Sequence, residues 1–337
     1  MRWPVADDES NGQPALIGVA ELVGPERGTG RLSGLEFLPV MARTVLNRVP
    51  ASSPMPFRWT INAYRGCSHA CTYCFARPTH EYLGLDAGED FNRRIVVKLN
   101  AVERLRVELA AQDWAREHVA MGTNTDPYQR AEGKYRLTRG IIGELARSGT
   151  PFSILTKSAL VLRDLDVLTE AAATVDVSVM FSVGTVDEAV WRVTEPGTPH
   201  PRRRLDAIRA LSAAGIRTGA LVAPILPGLS DSRAQLSETV GQIMAAGGTV
   251  IGSRPLYLRG PTRTHFLDWL EKYDETLFQR YVKAFAGRTE PGSDYTAWVR
   301  EAVHRAIGEH AAKPGNRTGR YADGGRWARW YEASAES

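Results

Sequence analysis

All three cysteines of this 337-residue chain stand within one short stretch, at Cys67, Cys71 and Cys74. Thiolate is the soft ligand that iron-sulfur clusters and zinc select, and a C-x3-C-x2-C spacing lets three thiols wrap one face of a metal centre. A cubane cluster is usually held by four cysteines. With no further cysteine in the chain, one iron would lack a cysteine ligand, and an iron with an open position is available for chemistry. Two other readings stand beside this one: a zinc site completed by His69 or His80, or three buried core cysteines. The tight spacing in a loop bounded by Gly66 and Pro78 disfavours a core role. Zinc usually takes a closed tetrahedral set split between two knuckles.

The elements that must position these thiols follow from hydrophobic periodicity. Phe57 to Asn62 alternates as a strand and runs straight into the cysteine loop. Strand and helix patterns then alternate: strands at 95–100, 119–122, 152–157, 175–182, 218–224 and 249–252, and helices at 101–111, 137–147, 164–173, 201–214 and 232–246. Such alternation predicts parallel βαβ units. Six or seven units are too few for a closed eightfold barrel, so the expected architecture is an open, partial barrel. Beyond Arg254 the pattern becomes helical, at 266–286 and 295–311. The expected organisation is therefore an extended leader over 1–55, a core over 56–254 with the metal loop at 67–74, and a helical C-terminal extension over 255–337.

In parallel α/β folds ligands bind where strands end at their carboxyl side. Those positions are polar here: Thr123-Asn-Thr-Asp-Pro-Tyr-Gln129, Thr156-Lys157-Ser158, Ser178 and Ser182 in the next strand, and Pro224 to Asp231. A zwitterionic amino acid needs an acceptor for its ammonium and a cation or hydroxyl for its carboxylate. Asp126 and Lys157 can supply these.

The stretch Asn62-Ala-Tyr-Arg-Gly-Cys-Ser-His-Ala-Cys-Thr-Tyr-Cys-Phe-Ala-Arg-Pro-Thr-His80, followed by Tyr82 and Leu83, resembles the radical S-adenosylmethionine (SAM) superfamily. Within it the stretch is similar to the branch grouped with spore photoproduct lyase and often labelled "DNA repair photolyase". The resemblance implies a partial (β/α)6-type radical SAM barrel. It implies a [4Fe-4S] cluster on Cys67, Cys71 and Cys74, with SAM chelated at the open iron. It places Tyr73 and Phe75 near the adenine, and Thr125, Asp126, Lys157 and Ser178 against SAM. Glu195-Pro-Gly-Thr-Pro-His200, followed by three arginines, is also familiar from this branch, with Arg204 a weaker candidate for the SAM carboxylate or ribose. The reaction implied is reductive cleavage of SAM to a 5′-deoxyadenosyl radical that abstracts hydrogen from a substrate. A flavodoxin- or ferredoxin-type protein would donate the electron. One departure stands out: spore photoproduct lyase uses an additional cysteine near the Thr-Asp step, where this chain reads Thr123-Asn124-Thr125-Asp126.

Composition bounds the rest. A 43% hydrophobic content supports a sizeable core, and 42 Lys and Arg against 38 Asp and Glu leave a net charge of +4. That balance permits a nucleic-acid partner without requiring one. The first residues lack an apolar signal core, and no run of eighteen apolar residues occurs. The expectation is a soluble, cytoplasmic monomer with reduced thiols. The tail from Lys313 to Tyr331 interleaves arginine with Trp327 and Trp330; it suits either base stacking or an arm laid back on the barrel. Two non-enzymatic readings remain: an iron-sulfur electron carrier and a zinc-stabilised nucleic-acid binder.

Overall fold

The computed structural model describes residues 20–53 and 55–311. Its strands are β1 (Ala20–Leu22), β2 (Glu26–Arg27), β3 (Glu36–Ala42), β4 (Leu46–Arg48), β5 (Trp59–Ile61), β6 (Tyr64–Arg65), β7 (Arg94–Lys98), β8 (Val119–Met121), β9 (Phe152–Thr156), β10 (Val177–Ser182), β11 (Arg217–Ile225) and β12 (Thr249–Pro255). The larger sheet has the order β12-β11-β10-β9-β8-β5-β4. Its pairings from β5 through β12 are all parallel, and β4 adds an antiparallel edge. Six parallel strands with helical crossovers make the expected mixed α/β, partial-barrel sheet.

Alternation gives each barrel strand two faces. Phe152 and Ile154 of β9, Val177, Val179 and Phe181 of β10, and Ala220 and Val222 of β11 join one apolar cluster with the surrounding helices. Fully burying a side chain such as Phe152 or Phe181 contributes roughly 1.5–3 kcal/mol. The intervening positions therefore face the hollow side: Ser153 and Leu155, Ser178, Met180 and Ser182, Gly219, Leu221 and Ala223. Small and polar residues occupy most of these positions.

The strand around Ile95 is not part of this sheet. β7 pairs parallel with β3 and antiparallel with β6, while β1 and β2 lie antiparallel along β3, forming a second sheet. Apolar periodicity identifies a strand but not its partner. The long excursion of the cysteine loop between β6 and β7 delivers β7 to the leader's β3. The described part of the leader thus supplies strands to both sheets.

The helix expected over 266–286 is two helices, Pro261–Tyr273 and Glu275–Ala284. Asp274 is extended between them (φ −156°, ψ 99°), and its carboxylate accepts the Leu277 N–H at 2.9 Å as an N-cap. These helices pack Phe266, Leu270, Leu277, Tyr281 and Phe285 against Cys71 and Tyr73. The last described helix, Ser293–Ala311, adds Val299, Val303 and Ala306 to the main core. Residues 1–19 of the leader and the tail bearing Trp327 and Trp330 lie outside the described residues. Among the described residues no helix is long and apolar enough to cross a membrane.

Candidate metal centre and ligand site

The cysteine loop leaves β6 through Gly66, whose φ of +77° favours glycine; an added Cβ would stand 2.7 Å from His80 Cε1. The Cys67 N–H donates to Phe91 O at 2.9 Å. Thr125 and Gln129 hold the loop from the other side: Thr125 Oγ1 and Gln129 Nε2 donate to Gly66 O at 2.6 and 2.9 Å, and Gln129 Oε1 accepts the Ser68 N–H at 3.0 Å. The segment after β10 closes over it, backbone on backbone. Thr72 N–H donates to Thr194 O and Gly197 N–H to His69 O, each at 3.0 Å. A Cβ at Gly197 would lie 2.2 Å from Ser68 O, so only glycine permits this approach.

Cys67 and Cys71 are buried, Cys74 is half-buried, and none is in a disulfide. Burial pushes all three thiols up, Cys71 to about 12, with Glu195 adding to the effect there. Bare, they stay protonated at neutral pH; a bound metal cation is what would ionise them. Arg77 lies beside them, 0% exposed. Among the described residues no group of three or more His, Cys, Asp or Glu side chains is drawn together as a formed metal site. Three reduced thiols grouped around a turn next to a buried cation suit an anionic multi-iron cluster.

Across from the loop, at the carboxyl ends of β9 and β10, lies a buried charged network. Lys157 Nζ donates to Glu195 Oε1 at 2.9 Å, Ser182 Oγ at 2.8 Å and Tyr73 OH at 3.2 Å. Glu195 also pairs with Arg204 and accepts the Tyr73 hydroxyl. Arg204 donates further to Ser182 O at 3.0 Å and Thr198 Oγ1 at 2.8 Å. Burial alone would raise the Glu195 carboxyl; Arg204 and Lys157 overcome it and hold the group well below the usual carboxylate range. Burial and the facing Glu195 push the Tyr73 phenol far up. Two cations thus share one carboxylate, leaving a positive surplus beside the cysteine loop.

Residues 61–240 match the Radical SAM superfamily, just over half of the chain. The chain belongs to the radical SAM superfamily. It is 46% identical over 326 residues to the uncharacterized protein Rv2578c of Mycobacterium tuberculosis, covering 93% of this chain and 96% of the relative. It is 28% identical over 209 residues to the uncharacterized protein MJ0683 of Methanocaldococcus jannaschii, covering 61% of this chain and 74% of that one. Its fold is similar to a solved spore photoproduct lyase complexed with dinucleoside spore photoproduct, with a TM-score of 0.58 at 19% identity, covering 83% of this chain and 80% of that one. A radical SAM domain in this fold makes the protein a radical SAM enzyme.

The expected site residues of this radical SAM enzyme fall into two groups. Cys67, Cys71, Cys74, Tyr73 and Lys157 meet at the loop and strand ends. Asp126 and Thr125 are beside them but committed internally. Asp126 accepts from Lys157 N–H and Thr156 Oγ1, each at 2.7 Å, from Tyr128 N–H at 2.8 Å, and faces His69 Nδ1 at 3.3 Å. Burial works against its charge, yet His69 and these donors hold its carboxyl below the ordinary value. Asp126 therefore positions the loop and β9 rather than offering a free carboxylate, and Thr125 does the same through Gly66. Ser178 sits at the wrong end of β10, in register with Ser153 and Arg217, and its buried hydroxyl has no hydrogen-bond partner. The serine that meets Lys157 is Ser182. Phe75 is 60% exposed and turned to solvent, whereas Tyr73 is buried against Glu195. The acid that organises this side, Glu195, was visible only as part of a familiar motif, and Arg77 was not singled out.

Proposed function

We propose that this enzyme holds a [4Fe-4S] cluster on Cys67, Cys71 and Cys74 and binds SAM between that loop and the ends of β9 and β10. The observation that carries this reading is the meeting of three reduced thiols with the Lys157–Glu195–Arg204 network. Lys157 offers its ammonium to a carboxylate; Glu195, anchored by Arg204, sets the lysine's position; Ser182 adds a hydroxyl. When bound, the cluster supplies the electron that cleaves the sulfonium to methionine and a 5′-deoxyadenosyl radical. The residues do the rest. Tyr73 packs between Cys71 and Glu195 and keeps water from the charged network, while the apolar wall of the C-terminal helices screens Cys71.

The hydrogen abstracted would come from a molecule at the carboxyl ends of the barrel strands, beside Leu155, Ser182 and Leu221. A nucleic-acid base is the substrate class we favour, since the solved lyase of the same fold is complexed with a dinucleoside. The thymine-dimer repair cycle itself is not part of the proposal, because Thr123 to Asp126 holds no cysteine to return hydrogen. A flavodoxin- or ferredoxin-type donor would supply the electron, and the reduced thiols suit the cytoplasm.

The test is anaerobic reconstitution with iron and sulfide, then dithionite and SAM. The expected result is a brown protein with about four irons per chain that releases 5′-deoxyadenosine. A protein that binds iron but leaves SAM intact would be an electron carrier, and one that binds a single zinc and no iron would be a structural binder; either would sink the reading.

A further inference from the structure

Arg77 is a buried charge without a carboxylate. Its side chain is 0% exposed, and every contact it makes is to a neutral acceptor. Nη2 donates to Cys71 O at 2.8 Å and Asn92 Oδ1 at 3.0 Å, Nε to Cys71 O at 3.3 Å, and Nη1 to Ala87 O at 2.8 Å and Gly88 O at 3.0 Å. Its guanidinium stands 5.2 Å from the centre of the Phe91 ring, and Phe91 packs on Cys67 and Cys74. Among the described residues no carboxylate reaches ion-pair distance; nearby Glu89 is exposed and pairs with Arg93 at 2.8 Å. His265 on the neighbouring helix does not add charge, because burial and Arg77 push it down to about 4.

An isolated charge is expensive to bury, and proteins otherwise pair it or bring it to a ligand. Carbonyl dipoles hold the guanidinium in place but do not neutralise it. The groups that act on Arg77 against the pull of burial are the three cysteines and, after them, the exposed Glu89. The folded chain thus contains a cation whose counter-ion arrives with the cluster.

We propose that Arg77 is the built-in counter-charge of the cysteine-held cluster and raises its reduction potential. This rests on the reading that Cys67, Cys71 and Cys74 hold a [4Fe-4S] group. Reduction adds one electron and one negative charge to that group. A fixed cation in a poorly polarisable site favours the more negative state. Arg77 is a positioning and tuning residue, not a catalytic one, and it acts on the same loop turn whose Cys71 carbonyl it clamps.

The experiment compares wild-type protein, Arg77→Lys and Arg77→Gln, each reconstituted anaerobically, by iron and sulfide content and by dithionite titration followed by electron paramagnetic resonance. Arg77→Gln is expected to shift the reduction equilibrium about tenfold against the reduced state, a potential lower by about 59 mV for one electron. Arg77→Lys, which keeps the charge and gives up most of the hydrogen bonds, is expected to stay within about threefold of wild type. Loading by the lysine variant at wild-type potential while the glutamine variant fails to load also supports the counter-charge. A fully loaded Arg77→Gln at the wild-type potential overturns it. So does failure of both variants to load, or a lysine variant shifted as far as glutamine, since each makes Arg77 a scaffold only. A wild-type chain that takes up no iron would instead defeat the cluster reading itself.

Discussion

Two arginines, Arg77 and Arg204, are almost wholly buried on opposite flanks of the cysteine loop, and they are satisfied in opposite ways. Arg204 meets a carboxylate, Glu195, which also takes Lys157. Arg77 meets only carbonyl and amide oxygens. On the Arg204 flank the charges are largely balanced within the fold, and only Lys157 retains a claim on an outside anion. On the Arg77 flank the balance is left to whatever the thiols hold. The difference separates a cation paired with a carboxylate of the fold from one that no carboxylate of the described residues meets.

The comparison is broken most severely at the thiols. Cys71→Ala should abolish both iron uptake and 5′-deoxyadenosine formation while the far-ultraviolet circular dichroism remains that of a folded α/β protein. On the Arg204 flank, Arg204→Met should destabilise the apoprotein by about 3–5 kcal/mol in urea unfolding, because Glu195 is left buried with a weakened counter-charge. Arg204→Met combined with Glu195→Leu should recover part of that loss. Lys157→Met is expected to leave iron content unchanged and weaken SAM binding roughly 10- to 100-fold by calorimetry, the loss of a hydrogen bond to a charged group. An unchanged SAM affinity would remove Lys157 from the ligand site.

Acid should act on the same flank. The Glu195 carboxyl lies below its ordinary value of 4.5 in the folded state, so its contribution is fully present above that pH and is lost as the pH falls further. Glu195→Gln should flatten that part of the stability profile. The smallest effect sharpens the assignment along β10: Ser182→Ala should weaken SAM binding a few-fold, and Ser178→Ala should leave it unchanged.

Much of this was legible in the chain. The cysteine spacing named the loop, and apolar alternation placed all six parallel barrel strands to within a few residues. What periodicity could not give was pairing: β7 has the same Ile-Val-Val signature as a barrel strand, yet joins the leader's sheet across Glu36 to Val40. Nor could it choose between Ser178 and Ser182. They are four residues apart on the same face of one strand, and it is chain direction, through the carboxyl-end rule, that favours Ser182 at the end of β10. Asp126 lies beside the cysteine loop but carries four donors already, a count that sequence does not reveal. Arginine is a surface residue by default, so Arg77 gave no signal until its burial and its lack of a carboxylate appeared together.

Thr262, at the start of the first C-terminal helix, donates its hydroxyl to the Cys74 carbonyl at 3.0 Å. That contact ties the helical extension to the thiol loop, although it begins beyond the matched superfamily region. A chain shortened at residue 255 would keep every barrel strand and still bare Cys71, Tyr73 and Cys74 along one side. The extension is thus a bulkhead that walls the thiol loop off from solvent along that side.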